Sequence, residues 1–486
     1  MWCTSCPRAG SSSRADRSWP SSSKPTAMPT WSSRPREDQD MNAVTPIRTP
    51  AEQALIGAYT AADGSGGEAL QALRAAGFQR FEMLGLPHRR VEEWKYTDLR
   101  AMVREAKPLA GTPDAATMLA VKTALYDLPR VGDCRVVVLD GTFAPELSDI
   151  AKLPDGVSVS SLAEALVRRP AIATRLAGSA MAQANVAFAL NGAFLTDGLL
   201  IEIAAGAEVG HALDLVSIAS NGAARFITSR NLLLVGEGAS AGIVETHIGP
   251  DGLDYQKNSV LQIVVGDGAT LEHGRRQIDG DQALHLATLD AEIGAKAHFD
   301  TLTLTTGGAI SRSQLFVRFA GEHSTATLRG VSMLRGKQHA DTTLVVDHAV
   351  PHCDSRELFK HVLDGEAHGV FQGKIIVAPK AQKTDGKMMS QTIMLTEGPA
   401  MDNKPELEIF ADDVQCGHGC TCGELDADLM FYLKARGIPH AEAEALLIEA
   451  FAREAIEDFG DGPLAAVEEL REAMFGTIAE WMRTRK

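Results

Sequence analysis

The run ADDVQCGHGCTCGELD, residues 411–426, sets Cys416, His418, Cys420 and Cys422 at every second position. Thiolate and imidazole are the soft and borderline ligands that proteins use for zinc, copper and iron–sulfur chemistry. The common zinc pattern pairs CxxC motifs across a turn. A period of two is different, because alternate side chains of a β-strand share a face and all four residues then point one way. Neighbouring ligands would stand about 6.7 Å apart along the strand, and the outermost pair about 20 Å. Zinc lies only about 2.0–2.3 Å from each ligand, so an extended strand cannot close one tetrahedral site with all four. Gly417, Gly419 and Gly423 permit bends, which weakens this restriction without reversing it. The row reads as an open half-site for metal or cluster handling that needs ligands from elsewhere. Buried strand cysteines and a redox disulfide are the alternatives that residue chemistry leaves open.

Other catalytic templates fail. GVFQGKI (369–375) lacks both the spacing and the Ser/Thr of a phosphate-binding loop. GEGASAG (236–242) is one residue too long for a dinucleotide loop and has β runs on both sides, so it reads as a corner. The letters GxSxG occur only inside that corner (GASAG, 238–242), whose flanking β runs are not the strand-to-helix turn of a nucleophile elbow, and no HExxH pair occurs. No catalytic residue is assigned, and the chain reads as a non-enzyme. Its formal charge of −16 argues against a nucleic-acid partner. No apolar run approaches the roughly 18 residues of a spanning helix, which speaks against a membrane partner.

The elements that must position the row change texture along the chain. Residues 1–40 hold 10 Ser, three of the five Trp and scattered Pro, without the apolar core of a secretory signal. Translation is expected to begin at Met41, leaving that leader as a mis-called start or a disordered extension. Without Cys3 and Cys6, five cysteines remain and three fall in the row, which suits a reducing compartment rather than a disulfide framework.

Residues 51–126 read as helical from their Ala/Leu periodicity, interrupted at Gly85 and Pro87. In LPHRRVEEWKYTDLR, Trp94 and Tyr96 read as anchors of a helical cap. CRVVVLDGTF (134–143) predicts a strand and turn, and SLAEALVRR (161–169) a short helix. From about 198 to 424 the chain is short β runs punctuated by Gly. The marker Gly-Ala recurs at 206, 238, 268 and 294, then Gly321 follows, with spacings of 32, 30, 26 and 27 residues. Such a repeat predicts a β-solenoid, since a sandwich would show turn signals every 8–12 residues. After Gly423, amphipathic helices return; they either pack on the chain itself, capping the open solenoid end, or dock a partner. The expected domains are 41–180 (helical, with an α/β linker), 181–424 (solenoid) and 425–486 (helical).

Residues 370–424 closely resemble the SufB/SufD family of iron–sulfur cluster assembly scaffolds, through the ordered motifs AQKTDG, NKPELEIFADDV and CGHG, with FYLKARGI beyond. GLPHRRVEEWKYTDL (85–99) is similar to the amino-terminal motif of the SufD branch. The resemblance implies a mainly β protein: a right-handed parallel β-helix flanked by amino- and carboxy-terminal helical domains. It also implies a cytoplasmic scaffold that meets SufB through the β-helix and the ATPase SufC through the carboxy-terminal helices, with ATP hydrolysis in SufC. A homodimer is a further possible assembly. By position, His418 would be a ligand of a transient iron–sulfur cluster, with Cys416 beside it; a reduced flavin is implied only for the complex. Cys420 stands where the family commonly has a small apolar residue, so Cys420 and Cys422 rank below His418. Gln382, Lys383 and Asp385 belong to the family hallmark and are expected to shape a coil. Cys353, His352, His361 and His368 are expected at solenoid turns. The rival readings are a polysaccharide-acting β-helix enzyme, which aromatics at 5% of the chain disfavour, and a closed structural zinc protein.

Overall fold

The computed structural model describes residues 48–61, 66–457, 459 and 465–485; the reading of residues 1–40 lies outside them. Two sheets run side by side through the described residues. The ten-stranded one holds β1 (Cys134–Leu139), β2 (Thr142–Phe143), β5 (Leu213–Ile218), β7 (Ser240–Ile248), β9 (Thr270–Ile278) and β11 (His298–Thr305). It continues through β13 (Thr325–Leu334), β15 (Asp354–Leu363) and β17 (Asp385–Met394) to β19 (Gln415–Gly423). The nine-stranded one holds β3 (Val157–Ser161), β4 (Leu199–Ile203), β6 (Phe226–Val235), β8 (Gln256–Val265) and β10 (Leu284–Ile293). It ends with β12 (Ile310–Phe319), β14 (His339–His348), β16 (His368–Val377) and β18 (Ala400–Ile409). From β4 onward successive strands alternate between the sheets and pair in parallel with the strand two places on. The fold is the parallel β-solenoid that the repeat predicts.

Two columns of corner residues explain the Gly-Ala marker. A Cβ on Gly236 would meet the backbone of Ala205 at 2.5 Å, and one on Gly321 that of Ala295 at 2.0 Å, so coils approach too closely there for a side chain. Two residues after Gly236 and Gly321 lies a left-handed position, filled by Gly206 (φ 70), Gly238 (63) and Gly268 (67), then by Lys296 (54), His323 (62), His352 (60) and Lys383 (63). Glycine tolerates that region without the Cβ penalty. The later coils use Lys and His instead, which is why the glycine rhythm fades from the sequence. The rings of His323 and His352 stack at 4.7 Å along this column. His352 is therefore a corner residue, as expected; His361 and His368 are instead strand residues, and Cys353 is buried just after the corner.

The amino-terminal helices are α1 (Pro50–Ala61), α2 (Glu68–Leu84), α3 (Leu99–Met102), α4 (Ala115–Ala124), α5 (Leu162–Arg168), α6 (Ala173–Leu176), α7 (Ala180–Ala184) and α8 (Val186–Ala193). Helix α8 lies on the outer face of the nine-stranded sheet, where Asn191 donates to the carbonyls of Ser229 and Asn258. Residues 85–98, between α2 and α3, form a strap across the same face. Trp94 is buried, with the Arg312 guanidinium 3.9 Å over its ring, and the Glu93 carbonyl accepts from Arg312 and Gln372. Lys404 pairs with Glu92 at 2.5 Å. The strap motif thus anchors on the solenoid through Trp94 and Thr97, while Tyr96 stays half-buried.

The carboxy-terminal helices are α9 (Ala427–Ala435), α10 (His440–Glu457) and α11 (Ala465–Thr484). Helices α10 and α11 bury Ile448, Ala452, Ile456, Leu470, Met474 and Trp481 against the outer face of the ten-stranded sheet, including Val244, Leu302 and Val331. They cover a flank rather than cap the open end. Helix α9 has no buried residue, and Leu429, Phe431 and Tyr432 are 51%, 74% and 51% exposed.

Candidate cluster-assembly edge

Strand β19 is the last strand of its sheet and pairs on one side only, in unbroken register with β17 from Gln415 opposite Asp385 to Gly423 opposite Ile393. The row is therefore an extended strand, with no bend at its glycines. Cys416, His418, Cys420 and Cys422 are the register partners of Gly386, Met388, Ser390 and Thr392, all four buried. They occupy the face that lines the solenoid interior. Because no further coil follows among the described residues, that face is left open at the end of the stack. His418, Cys420 and Cys422 are exposed, while Cys416 is half-buried against the core.

The thiols differ electrostatically. Burial pushes the Cys416 thiol up, and the nearby Asp385 and Glu357 carboxyls add to this, although a hydrogen bond with the Gly386 backbone pulls it back. Burial also raises Cys422, with its neighbour Cys420 contributing. Metal binding at either must displace a proton. Among the described residues no group of three or more His, Cys, Asp or Glu converges on one point. Strand geometry brings the four onto one face but leaves them in a line, so they can contribute ligands singly or in adjacent pairs.

The hallmark residues launch this strand. Lys383 occupies the left-handed corner before β17, its N–H donating to the Asp413 carbonyl at 2.6 Å and its ammonium pairing with the Asp413 carboxylate. Gln382 donates to the Pro379 carbonyl and accepts the Asp413 N–H at 2.9 Å. Asp385 accepts from Arg356 at 2.9 Å. One corner is thereby fastened to the next, and β19 leaves the second. Gly417 and Gly423 have open space where a Cβ would stand; Gly419 faces Met389.

Sequence reasoning missed the polar half of the interior. Glu357, one coil behind Met388, is buried with neither carboxylate oxygen hydrogen-bonded, and burial pushes it up to about 8. His361, beyond Phe359 on the same face, is also buried without a partner on either ring nitrogen. Deeper in, Lys257 lies 3.7 Å from Asp279, which also meets His285 at 2.7 Å. Ordinary strand alternation gives such residues no sequence signal, since Glu and His at inward positions look like errors of phase.

The described residues form a parallel solenoid with a helical layer on each sheet, ending in an edge strand that carries a Cys/His row. The comparisons place that architecture in a family. Residues 217–451 match the family model described as the SUF system FeS cluster assembly SufBD core domain, and residues 59–215 the SufBD protein N-terminal region. The chain is 30% identical to an iron–sulfur cluster assembly SufBD family protein of Synechocystis, covering 79% of this chain and 86% of that one. It is 29% identical to the iron–sulfur cluster assembly protein SufD of Escherichia coli, over 79% and 88%. A chloroplastic Arabidopsis thaliana protein, ABCI7, is 27% identical over 80% and 82%. The chain belongs to the SufBD family of iron–sulfur cluster assembly proteins and is a homologue of SufD.

Proposed function

We propose that this chain is the SufD-type, non-catalytic scaffold subunit of a cytoplasmic SufBCD complex, supplying half of a nascent-cluster site to SufB. The observation that carries this reading is the free edge of β19, which leaves His418 exposed with no further strand beside it among the described residues. A ligand row in a line needs a second surface to close around iron and sulfide, the cargo of the site. Imidazole is a borderline ligand able to hold iron and release it, which suits His418 as the principal ligand and Cys416 as its support. Cys420 and Cys422 are secondary, and Gln382, Lys383 and Asp385 act by holding the corner. Any reduced flavin belongs to the assembled complex, and no residue of this chain is assigned to it.

Two exposed surfaces support the partner assignments. Ile409, which ends β18, Phe410 just after it and Met389 on β17 are exposed apolar residues near the open end, where SufB would sit. Strand β18 is blunted for pairing by Pro405 among Lys404, Glu406 and Glu408, whereas β19 is glycine-rich and free of proline. The exposed apolar residues of α9 provide the dock for SufC, in which ATP hydrolysis resides. Co-expression with SufB and SufC, followed by pull-down, tests the assembly. Retention of both partners is expected, and failure of SufB to co-purify with the intact chain would contradict the reading. A homodimer through the same edge is the form expected when SufB is absent.

A further inference from the structure

Away from the row, one pair of imidazoles has a geometry that hydrogen bonding between two neutral rings leaves unexplained. His339 opens β14 and His368 opens β16, in register on the outer face of the nine-stranded sheet, and their Nδ1 atoms face each other at 3.2 Å. His368 Nε2 lies 2.8 Å from the Asp402 carboxylate. An ionised carboxylate only accepts, so Nε2 carries the hydrogen. His339 Nε2 lies 2.9 Å from Thr97 Oγ1, and the same hydroxyl touches the Asp341 carboxylate. An ionised carboxylate has no hydrogen to give, so the hydroxyl hydrogen goes to Asp341. Thr97 therefore accepts from His339, whose Nε2 also carries its hydrogen. A neutral imidazole has one N–H. Both Nδ1 atoms are then bare lone pairs aimed at one another, and a positive species must lie between them.

The spacing fits a metal ion. Two nitrogens about 2.0–2.1 Å from one tetrahedral ion stand about 3.3 Å apart. A carboxylate behind the far nitrogen of His368 is the arrangement that fixes the tautomer of a ligating histidine and raises its basicity. The His368 side chain is 33% exposed, so an ion held here keeps positions open to solvent. No third His, Cys, Asp or Glu among the described residues completes the set, so the remaining positions would fall to water. We propose that His339 and His368 form an exchangeable two-histidine site for a divalent transition-metal cation, oriented by Asp402 and by Thr97 of the strap. Imidazole with water suits Zn²⁺, Co²⁺ or Fe²⁺. The site lies on the opposite sheet from β19 and stands whether or not the row binds a cluster.

The test uses the full chain carrying Cys416→Ser, His418→Ala, Cys420→Ser and Cys422→Ser, which removes the row's ligands. Metal-free protein is titrated with Co²⁺ alone and followed by visible absorption, then challenged with Zn²⁺. One equivalent of Co²⁺ should bind and be displaced by Zn²⁺. His368→Ala, which alters a partly exposed side chain, should weaken binding at least tenfold with an unchanged circular dichroism spectrum. Asp402→Asn should weaken it about tenfold. Unchanged Co²⁺ binding in folded His368→Ala overturns the proposal. So does a parent that takes up no Co²⁺ but shows an imidazole-range proton missing from His368→Ala, which would mean that a shared proton occupies the gap.

Discussion

The Gln382 side chain accepts the backbone N–H of Asp413 at 2.9 Å, tying the corner before β17 to the corner before β19. The row's position is thus set by a residue 31 places earlier in the chain. Gln382→Ala should leave the fold intact, costing about 1 kcal/mol, yet raise amide hydrogen exchange selectively in residues 411–423. Exchange rising equally across all coils would contradict this role.

Trp94 should be a stability residue. Replacement by Ala removes a buried indole and uncovers the Arg312 guanidinium beneath it. A loss of about 3–5 kcal/mol is expected in chemical denaturation, with Trp94→Phe losing clearly less. Near-equal losses would mean that the ring's size and its contact with Arg312 are immaterial.

Glu357 should make stability depend on pH. Its folded value of about 8 lies above the ordinary 4.5. Below the ordinary value the carboxyl is neutral in both states and its burial is tolerated. Between the two values the unfolded chain ionises and the folded one resists, so stability falls as pH rises, by up to about 1.4 kcal/mol per pH unit. Glu357→Gln should flatten that window in urea titrations. A slope unaltered by the substitution would place the ionisation elsewhere.

Much of this was legible in the sequence, and for a physical reason. The two-residue period of a strand has no freedom, so Cys416, His418, Cys420 and Cys422 could be placed on one face before any fold was known. The solenoid followed from coil-length repeats because stacked parallel strands demand recurring corners. Other features carried no such signal. Amphipathic spacing in α10 and α11 shows that a face is buried but not against what, so their seat on the sheet's flank was invisible. Lys296, His323, His352 and Lys383 adopt a left-handed backbone that their residue types do not announce. His339 and His368 meet only because one coil happens to be 29 residues long.

Helix α9 should govern SufC binding through its exposed residues. Deleting the whole tail would also strip α10 and α11 from the sheet and uncover the apolar residues beneath, so a point change is the cleaner probe. Phe431→Asp, at a 74% exposed position, should leave thermal stability nearly unchanged. It should weaken SufC capture by about thirtyfold or more if Phe431 is an anchoring residue. Undiminished capture would move the dock off α9.

The central claim is that His418 is the working ligand of an open half-site. Its most direct measurement compares iron–sulfur cluster content of the co-expressed complex carrying His418→Ala with that carrying Cys420→Ala. His418→Ala should preserve folding and the complex but abolish cluster assembly, while Cys420→Ala should leave assembly essentially intact. Equal damage from both would mean that the row acts as one site. Normal cluster assembly without His418 would contradict the account.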